Sequence, residues 1–484
     1  MNPEVNLFID GKLTPAATGK TFANISPVSE ESIGEVADAG PIDAELAISA
    51  ARRAFDDTDW STNHKLRIKC LQQLKEGLYA EIDELKKQTA AESGATLGMC
   101  AGPHCDAPLS FIEPMIERLE SFEWSRDIGI AEGMGMRSRR MVEKEPVGVV
   151  AAITPWNVPV ELNLGKMLPA LATGCTVILK PAPDTPWSAT FLGYIVEKHT
   201  DIPPGVFNVL TASDPAEVGE ILVTDPRVDM VTFTGSTGVG KRIMSLAAGT
   251  VKKVGLELGG KSANIILDDA NLEVALASAL GVCFHAGQGC ALQTRMLIPE
   301  SQKDQIEQML PSYFSMIEYG DPESDQMMGP VVNKRQYERV QSYIEKGKVE
   351  GARVIIGGGA DERFDKGYYI KPTVFMDVTS DMAIAQEEIF GPVLVVITYK
   401  DDEEAIRIAN DTDYGLSGGV WSSDEQRAVS VARRIRTGSM GVNGGNIYSA
   451  DAPFGGYKQS GLGREKGDEG FEEYLETKTI AIGV

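Results

Sequence analysis

The sequence predicts an α/β protein of two successive units, each a largely parallel sheet covered by helices. Three observations carry that reading. Short β-branched runs alternate with helical segments from Val147 onward, which is the pattern of βαβ crossovers. A second alternating stretch begins near Ser262. The 484 residues exceed what one ordinary core accommodates.

Ahead of Val147 the pattern is helical. Apolar residues recur at three- and four-residue steps over 42–55 and 65–91, which reads as covering helices. The first alternating stretch then runs VGVVAAIT, TVILK, GVFNVL, DMVTFTG and KKVGLELGG, with room for helices at 187–199 and 216–224. Strand and helix repeated in this way make a doubly wound parallel sheet. In the second stretch ANIIL, MLIP, RVIIG and VLVVITY are the strands, and 304–318 and 403–410 the helices. Residues 134–144 alternate in part between polar and apolar, predicting an exposed strand that pairs outside its own unit, and 477–484 have the same character. No internal repeat of fixed period occurs.

Composition narrows the function. With 43% hydrophobic and 24% charged residues the chain is globular, and disorder is expected only at the ends. A net charge of -24 argues against nucleic acid or an anionic membrane as partners. An anionic ligand could bind only where local donors and cations override that field, which directs attention to Lys180, Lys241 and Arg242. The opening segment lacks a basic stretch followed by an apolar one, and no apolar run reaches ~18 residues, so a cytoplasmic location is expected. Cys70, Cys100, Cys105, Cys175, Cys283 and Cys290 show no disulfide-framework spacing, so reduced thiols are expected.

Three glycine-rich segments follow expected strands or helices. FTGSTGVGK (233–241) places small residues where a strand yields to a helix, so backbone N–H groups and the helix dipole can face a phosphate. Gly235, Gly240 and Lys241 have P-loop spacing, but Arg242 stands where a magnesium-binding Ser or Thr belongs, which counts against a P-loop nucleotide hydrolase. A tight turn without a ligand serves the segment equally well. LELGGKS (256–262) sets Glu257 at the end of an apolar run, where partial desolvation raises a carboxyl toward the range of a general base; a solvated strand-end Glu is the alternative. HAGQGC (285–290) puts Cys290 after two glycines, at the end of the helical run 272–284. An ordinary thiol, with a pKa near ~8.5, needs nearby donors or positive charge to react, and a lone cysteine is more often a small buried hydrophobe. The spacing of His285, Cys283 and Cys290, or of Cys100, His104 and Cys105, is not that of a metal site, and no metal is expected.

Taken together, PWNVP (155–159), KPAPDTP (180–186), FTGSTGVGK, LELGGKS, GQGC, EEIFGPV (387–393) and PFGGYKQSGLGRE (453–465) resemble the aldehyde dehydrogenase superfamily in order and over nearly the whole chain. The resemblance implies oxidation of an aldehyde to a carboxylic acid with NAD or NADP. It makes Cys290 the nucleophile that forms a thiohemiacetal and then a thioester. Asn157 becomes the side-chain donor to the oxyanion, and Glu257 the base that activates the deacylating water. Members that pass the acyl group to coenzyme A generally lack a carboxylate at the Glu257 position, so hydrolytic release is implied. Lys180, counted with the catalytic set, matches the adenosine ribose contact. The implied cofactor site comprises Thr154, Pro155, Trp156, Lys180, Pro183, Gly235, Ser236, Leu258, Glu388 and Phe390, with Ser236 at the pyrophosphate and Glu388 at the nicotinamide ribose.

Two departures bear on the cofactor. Pro183 stands where many NAD-preferring relatives carry a Glu that repels a 2'-phosphate, and Gly238 replaces a frequent acidic residue. NAD is favoured and NADP stays open. Val158, Phe284, Tyr448 and Phe454 match the lining of the aldehyde tunnel. The small Val158 and Gly165 suggest a roomy, apolar tunnel for medium-chain or aromatic aldehydes. The resemblance further implies a small β bridging element that makes homodimers or homotetramers. The expected organisation is a dinucleotide-binding domain at 1–124 and 147–258, a catalytic domain at 259–467 and an oligomerisation element at 125–146 and 468–484.

Overall fold

A computed structural model describes residues 5–324 and 326–484; residues 1–4 of the opening segment read above lie outside the described residues. Five parallel strands make the centre of the first sheet: Val149–Ile153, Thr176–Lys180, Phe207–Val209, Met230–Thr234 and Lys253–Glu257. In space the first of them lies between the second and the fourth, so the winding reverses between Val149–Ile153 and Met230–Thr234. A crevice opens outside the carboxyl ends of the strands at such a reversal. Antiparallel strands Leu7–Ile9 and Lys12–Thr14 extend one edge, and Gly461–Leu462 pairs with Lys253–Glu257 at the other.

The central strands are buried almost throughout, which explains why they read as continuous apolar runs and not as alternations. Helices Pro41–Asp57, Pro159–Thr173 and Pro215–Thr224 each begin on a proline, whose fixed φ suits a first turn and whose missing N–H costs nothing there. The helix expected over 65–91 is two, His64–Ala80 and Ile82–Ser93. The break falls at Glu81, whose carboxylate turns to Lys198 at 2.5 Å and to His199 at 3.4 Å.

The second sheet runs Arg353–Ile356, Thr373–Met376, Val393–Tyr399, Arg295–Pro299, Ala263–Ile266, Gly418–Trp421, Gly441–Val442, parallel except for its first pair. Its buried strands and the helices Lys303–Phe314, Lys334–Val349 and Asp402–Asn410 enclose a separate core. Met136–Pro146, in the region expected to be an exposed strand, pairs with Ser125–Gly133 and, from Ser138 to Pro146, with the C-terminal Leu475–Gly483. Among the described residues no helix is long and apolar enough to cross a membrane.

Candidate active site

The carboxyl ends of the first sheet carry most of the segments singled out above. After Val149–Ile153 come Thr154, Pro155, Trp156 and Asn157. The buried Thr154 hydroxyl donates to Asn163 Oδ1 at 2.6 Å, and buried Asn157 Nδ2 donates to the Gln288 carbonyl at 3.0 Å. Thr176–Lys180 ends on a buried lysine whose ammonium donates to the Pro181 carbonyl at 3.3 Å. Burial pushes Lys180 down to about 8, against the opposing pull of Asp214. Pro183 is half-buried just beyond it.

Met230–Thr234 runs into Gly235, where a Cβ would lie 2.4 Å from the Phe233 ring, and Ser236, whose Oγ caps the helix Thr237–Ala247 by accepting the Val239 N–H. A Cβ at Gly240 would strike Leu258 at 2.6 Å, so this helix packs closely on the end of the next strand. Lys241 turns to the Gln459 side chain at 2.8 Å and Arg242 to Glu220 at 2.6 Å. Of the three cations expected to draw in an anion, Lys180 is the buried one at a strand end.

Glu257 closes the last strand. It is buried, its Oε2 has no hydrogen-bond partner among the described residues, and a Cβ at Gly455 would lie 2.7 Å from its Oε1. Burial, then the Glu465 charge, raise it well above the carboxylate range, with Lys166 and Arg464 opposing. Lys166 Nζ lies 2.6 Å from Glu465 Oε1 and 3.1 Å from Thr232 Oγ1.

The second sheet contributes from loops that precede its strands. The run 272–284, expected as one helix, is a short α-turn Leu272–Ala275 followed by the tighter Leu276–Gly287, and it breaks at left-handed His285, Ala286 and Gly287 (φ 44°, 52° and 75°). Gly287 backs onto Gly391 so closely that a Cβ would lie 2.0 Å from the Gly391 carbonyl carbon. The Gln288 side chain holds this turn by donating to the His285 carbonyl at 3.0 Å and accepting the Val332 N–H at 2.8 Å. Cys290 follows. Of the six free cysteines five are buried and Cys290 is not. Its thiol is nonetheless pushed up, by desolvation of the sulfur and then by the charges of Glu388, Glu257, Glu161 and Glu465.

Gly259 and Gly260 join these parts. The Gly260 N–H donates to Glu388 Oε1 at 2.9 Å, and a Cβ at Gly260 would lie 2.3 Å from the Cys290 carbonyl oxygen. A Cβ at Gly259 would lie 2.5 Å from Glu388 Oε2. Burial lifts Glu388 to about 7. Phe390, at φ 63°, meets Trp156 edge-on with ring centres 5.4 Å apart.

Among the residues expected in the tunnel, Phe454 is buried and meets Tyr448 edge-on at 5.4 Å, Val158 is half-buried, and Phe284 is exposed at the kink. A small neighbouring cavity, of about 40 Å³, is lined by Phe111, Glu161, Leu164, Gly165 and Lys466 among others. Its wall is not apolar throughout, since Glu161 and Lys466 are paired there at 3.0 Å. Glu161 and Lys166 were missed, although both lie in the otherwise apolar PVELNLGKMLPALAT. Such a helix, buried nearly all round, forces its charges inside.

The aldehyde dehydrogenase family model matches residues 14–480. A Pseudomonas 3-succinoylsemialdehyde-pyridine dehydrogenase is 42% identical over 98% of this chain and 97% of its own length. Putative aldehyde dehydrogenase DhaS of Bacillus subtilis is 40% identical over 99% and 95%. Among solved structures, betaine aldehyde dehydrogenase of Staphylococcus aureus in complex with NAD+ superposes with a TM-score of 0.95 at 37% identity, covering 99% of this chain and 94% of that one. A cysteine-to-alanine mutant of AldC from Pseudomonas syringae, in complex with NAD+ and octanal, superposes at 0.93 with 38% identity, covering 99% and 96%. The chain belongs to the aldehyde dehydrogenase family. It is an oxidoreductase built on two α/β units, and its enzymatic class is aldehyde dehydrogenase.

Proposed function

We propose that the protein oxidises an aldehyde to its carboxylic acid with NAD or NADP, through a thiohemiacetal and a thioester on Cys290. The observation that carries this is convergence: the one cysteine that is not buried is tied through Gln288 to Asn157 and through Gly260 to Glu388, with buried Glu257 in electrostatic reach. The Cys290 thiol first releases its proton to solvent; the thiolate then attacks the carbonyl carbon, forming the C–S bond as the C=O π pair moves to oxygen as negative charge. One amide hydrogen of Asn157 is committed to Gln288, which orients the other toward that oxygen, with the Cys290 N–H as second donor. A nicotinamide held by Glu388 and Phe390 would supply the acceptor for the hydride that leaves the thiohemiacetal carbon. Glu257 takes a proton from water as that water attacks the thioester; the C–S bond breaks, and the acid leaves with the thiol restored.

The cofactor fits the crevice at the winding reversal. Gly235 has no room for a side chain, Ser236 opens a helix, and buried Lys180 has donors to spare beyond one long carbonyl contact. Thr154, Pro155, Trp156, Pro183 and Leu258 border it, and Glu388 and Phe390 close it from the second sheet. NAD is the preferred form, in line with the NAD+ complexes of the similar structures, and Pro183 leaves no carboxylate to repel a 2'-phosphate. Medium-chain or aromatic aldehydes are the proposed substrates; the octanal complex of AldC and the pyridine semialdehyde named for the Pseudomonas relative support this. The open edge of Leu475–Gly483, with Ile480 and Ile482 exposed, suits pairing with a second copy. Six free thiols suit the reducing cytoplasm. The test is reduction of NAD+ and NADP+ over an aldehyde panel: Cys290→Ala is expected to abolish turnover, and full activity in that variant would overturn the covalent route.

A further inference from the structure

The reading above leaves one buried charge cluster without work. Glu161 and Lys466, with side chains 6% and 9% exposed, face each other in the cavity wall. A buried pair costs desolvation that apolar residues of equal volume avoid. Its bonding is also incomplete. Tyr448 donates to Glu161 Oε1 at 2.5 Å, and Lys466 approaches the same oxygen. Lys466 Nζ makes no aligned hydrogen bond among the described residues; its ammonium lies 3.2 Å from the centre of the Tyr448 ring and 4.3 Å from that of Phe111. The backbone holds it there in a conformation nearly reserved for glycine, φ 59° and ψ 177°, pinned by the Gly470 N–H on the Lys466 carbonyl at 2.8 Å. Glu161 lies in the first turn of the helix that follows Asn157, which donates to the Gln288 carbonyl two residues before Cys290, and the charges of Glu161 and Tyr448 act on the thiol, so the cluster adjoins the nucleophile.

Resting on Cys290 as the nucleophile, we propose that this cluster recognises the far end of the aldehyde, and that the substrate carries an uncharged hydrogen-bond acceptor there, such as a ketone oxygen or a ring nitrogen. An anionic end would meet Glu161. A cationic end would meet Lys466, which already occupies the ring faces of Tyr448 and Phe111 that could stabilise it. A plain alkyl end offers the buried ammonium nothing beyond its ion pair with Glu161, which leaves its other N–H groups without acceptors. A neutral acceptor takes an N–H of Lys466 and leaves its ion pair with Glu161 in place.

The experiment compares kcat/KM for four length-matched aldehydes ending in alkyl, methyl ketone, carboxylate and trimethylammonium. The ketone is expected to exceed the alkanal about tenfold, and both charged aldehydes to fall below the alkanal. The double variant Glu161→Leu with Lys466→Met removes both charges together, so neither is stranded, and the ketone-to-alkanal ratio is expected to fall to about one through a higher KM for the ketone. A wild-type ratio of one or less overturns the proposal, as does a ratio unmoved in a folded double variant. If that variant does not fold, the wild-type ranking of the four aldehydes decides alone. Absence of Cys290-dependent cofactor reduction with all four would instead overturn the underlying reading.

Discussion

The two parallel sheets bring their functional segments to the site in opposite senses. Asn157, Lys180, Ser236 and Glu257 lie at or just after the carboxyl ends of strands in the first sheet, whereas Cys290 and Glu388 lie before the amino ends of Arg295–Pro299 and Val393–Tyr399 in the second. The site is the seam between a carboxyl edge and an amino edge. A parallel sheet opens its ligand crevice at the carboxyl ends by topology alone, so the first side needs little special backbone. The second side has no such provision. It is shaped by left-handed residues, His285, Ala286 and Phe390, and by glycines, Gly287 and Gly391, whose main chains nearly touch.

The strongest way to break the comparison is to disable one side while the other stays intact. Glu257→Gln is expected to slow deacylation by about 10³, leaving one burst of reduced cofactor per site followed by near arrest. The wild-type steady-state rate should rise with pH as Glu257 ionises, at a pH well above the ordinary carboxylate range, because burial and then Glu465 favour its protonated form. The linkage runs the same way. A carboxyl raised in the folded state contributes stability below its unfolded value, and that contribution is lost as pH rises, so ionising conditions tax the fold. Glu257→Gln should therefore melt about 2–4 °C higher than wild type at pH 8, measured by calorimetry. An unchanged steady-state rate would remove Glu257 from the chemistry.

Asn157→Ala acts across the seam and ranks next, with kcat/KM expected to fall about 10²–10³. Loss of the Gln288 contact frees the turn before Cys290 as well. A fall confined to KM would count against a role in stabilising the oxyanion. Gly260→Ala tests the seam itself. Its Cβ would lie 2.3 Å from the Cys290 carbonyl oxygen, which is backbone and cannot swing away, so a loss of about 10–100-fold is expected. Gly40→Ala, also with nothing within 4 Å and lying outside the segments assigned to the site, is the control and should keep its rate.

The same contrast explains what could be read from the sequence. Strand and helix alternation exposed both sheets, because buried parallel strands are apolar runs bounded by turn residues. The segments of the first sheet were marked locally, by glycines and polar residues at strand ends. Cys290 was not. Its neighbours read as a helix, since the left-handed turn at His285 depends on Gly391, a contact no local pattern encodes. Only the resemblance singled it out from five buried thiols. Glu161 and Lys466 lie about three hundred residues apart, so their pairing had no spacing to reveal it, though a Glu inside a helix buried nearly all round was a signal that something must answer its charge.

The smallest predicted effect sharpens the first side of the comparison. Lys180 sits where topology opens the crevice, yet burial holds it at about 8, below the ordinary lysine value. Below that pH it is an ammonium facing the proposed dinucleotide; above it the charge, and the attraction for an anionic ligand, are lost. Affinity for NAD+ is therefore expected to weaken several-fold between pH 7 and pH 9, with the inflection in the complex displaced above 8, because a bound anion favours the charged form. Lys180→Met should bind several-fold more weakly at pH 7 and lose the pH dependence, read by fluorescence titration. Stability has the opposite sign. A lysine lowered in the folded state is destabilising while charged, and that penalty fades as pH rises through its folded value, so Lys180→Met should melt no lower than wild type at pH 7. Weaker binding together with a lower melting point would mean that the lysine serves packing, and that the crevice of the first sheet relies on backbone donors alone.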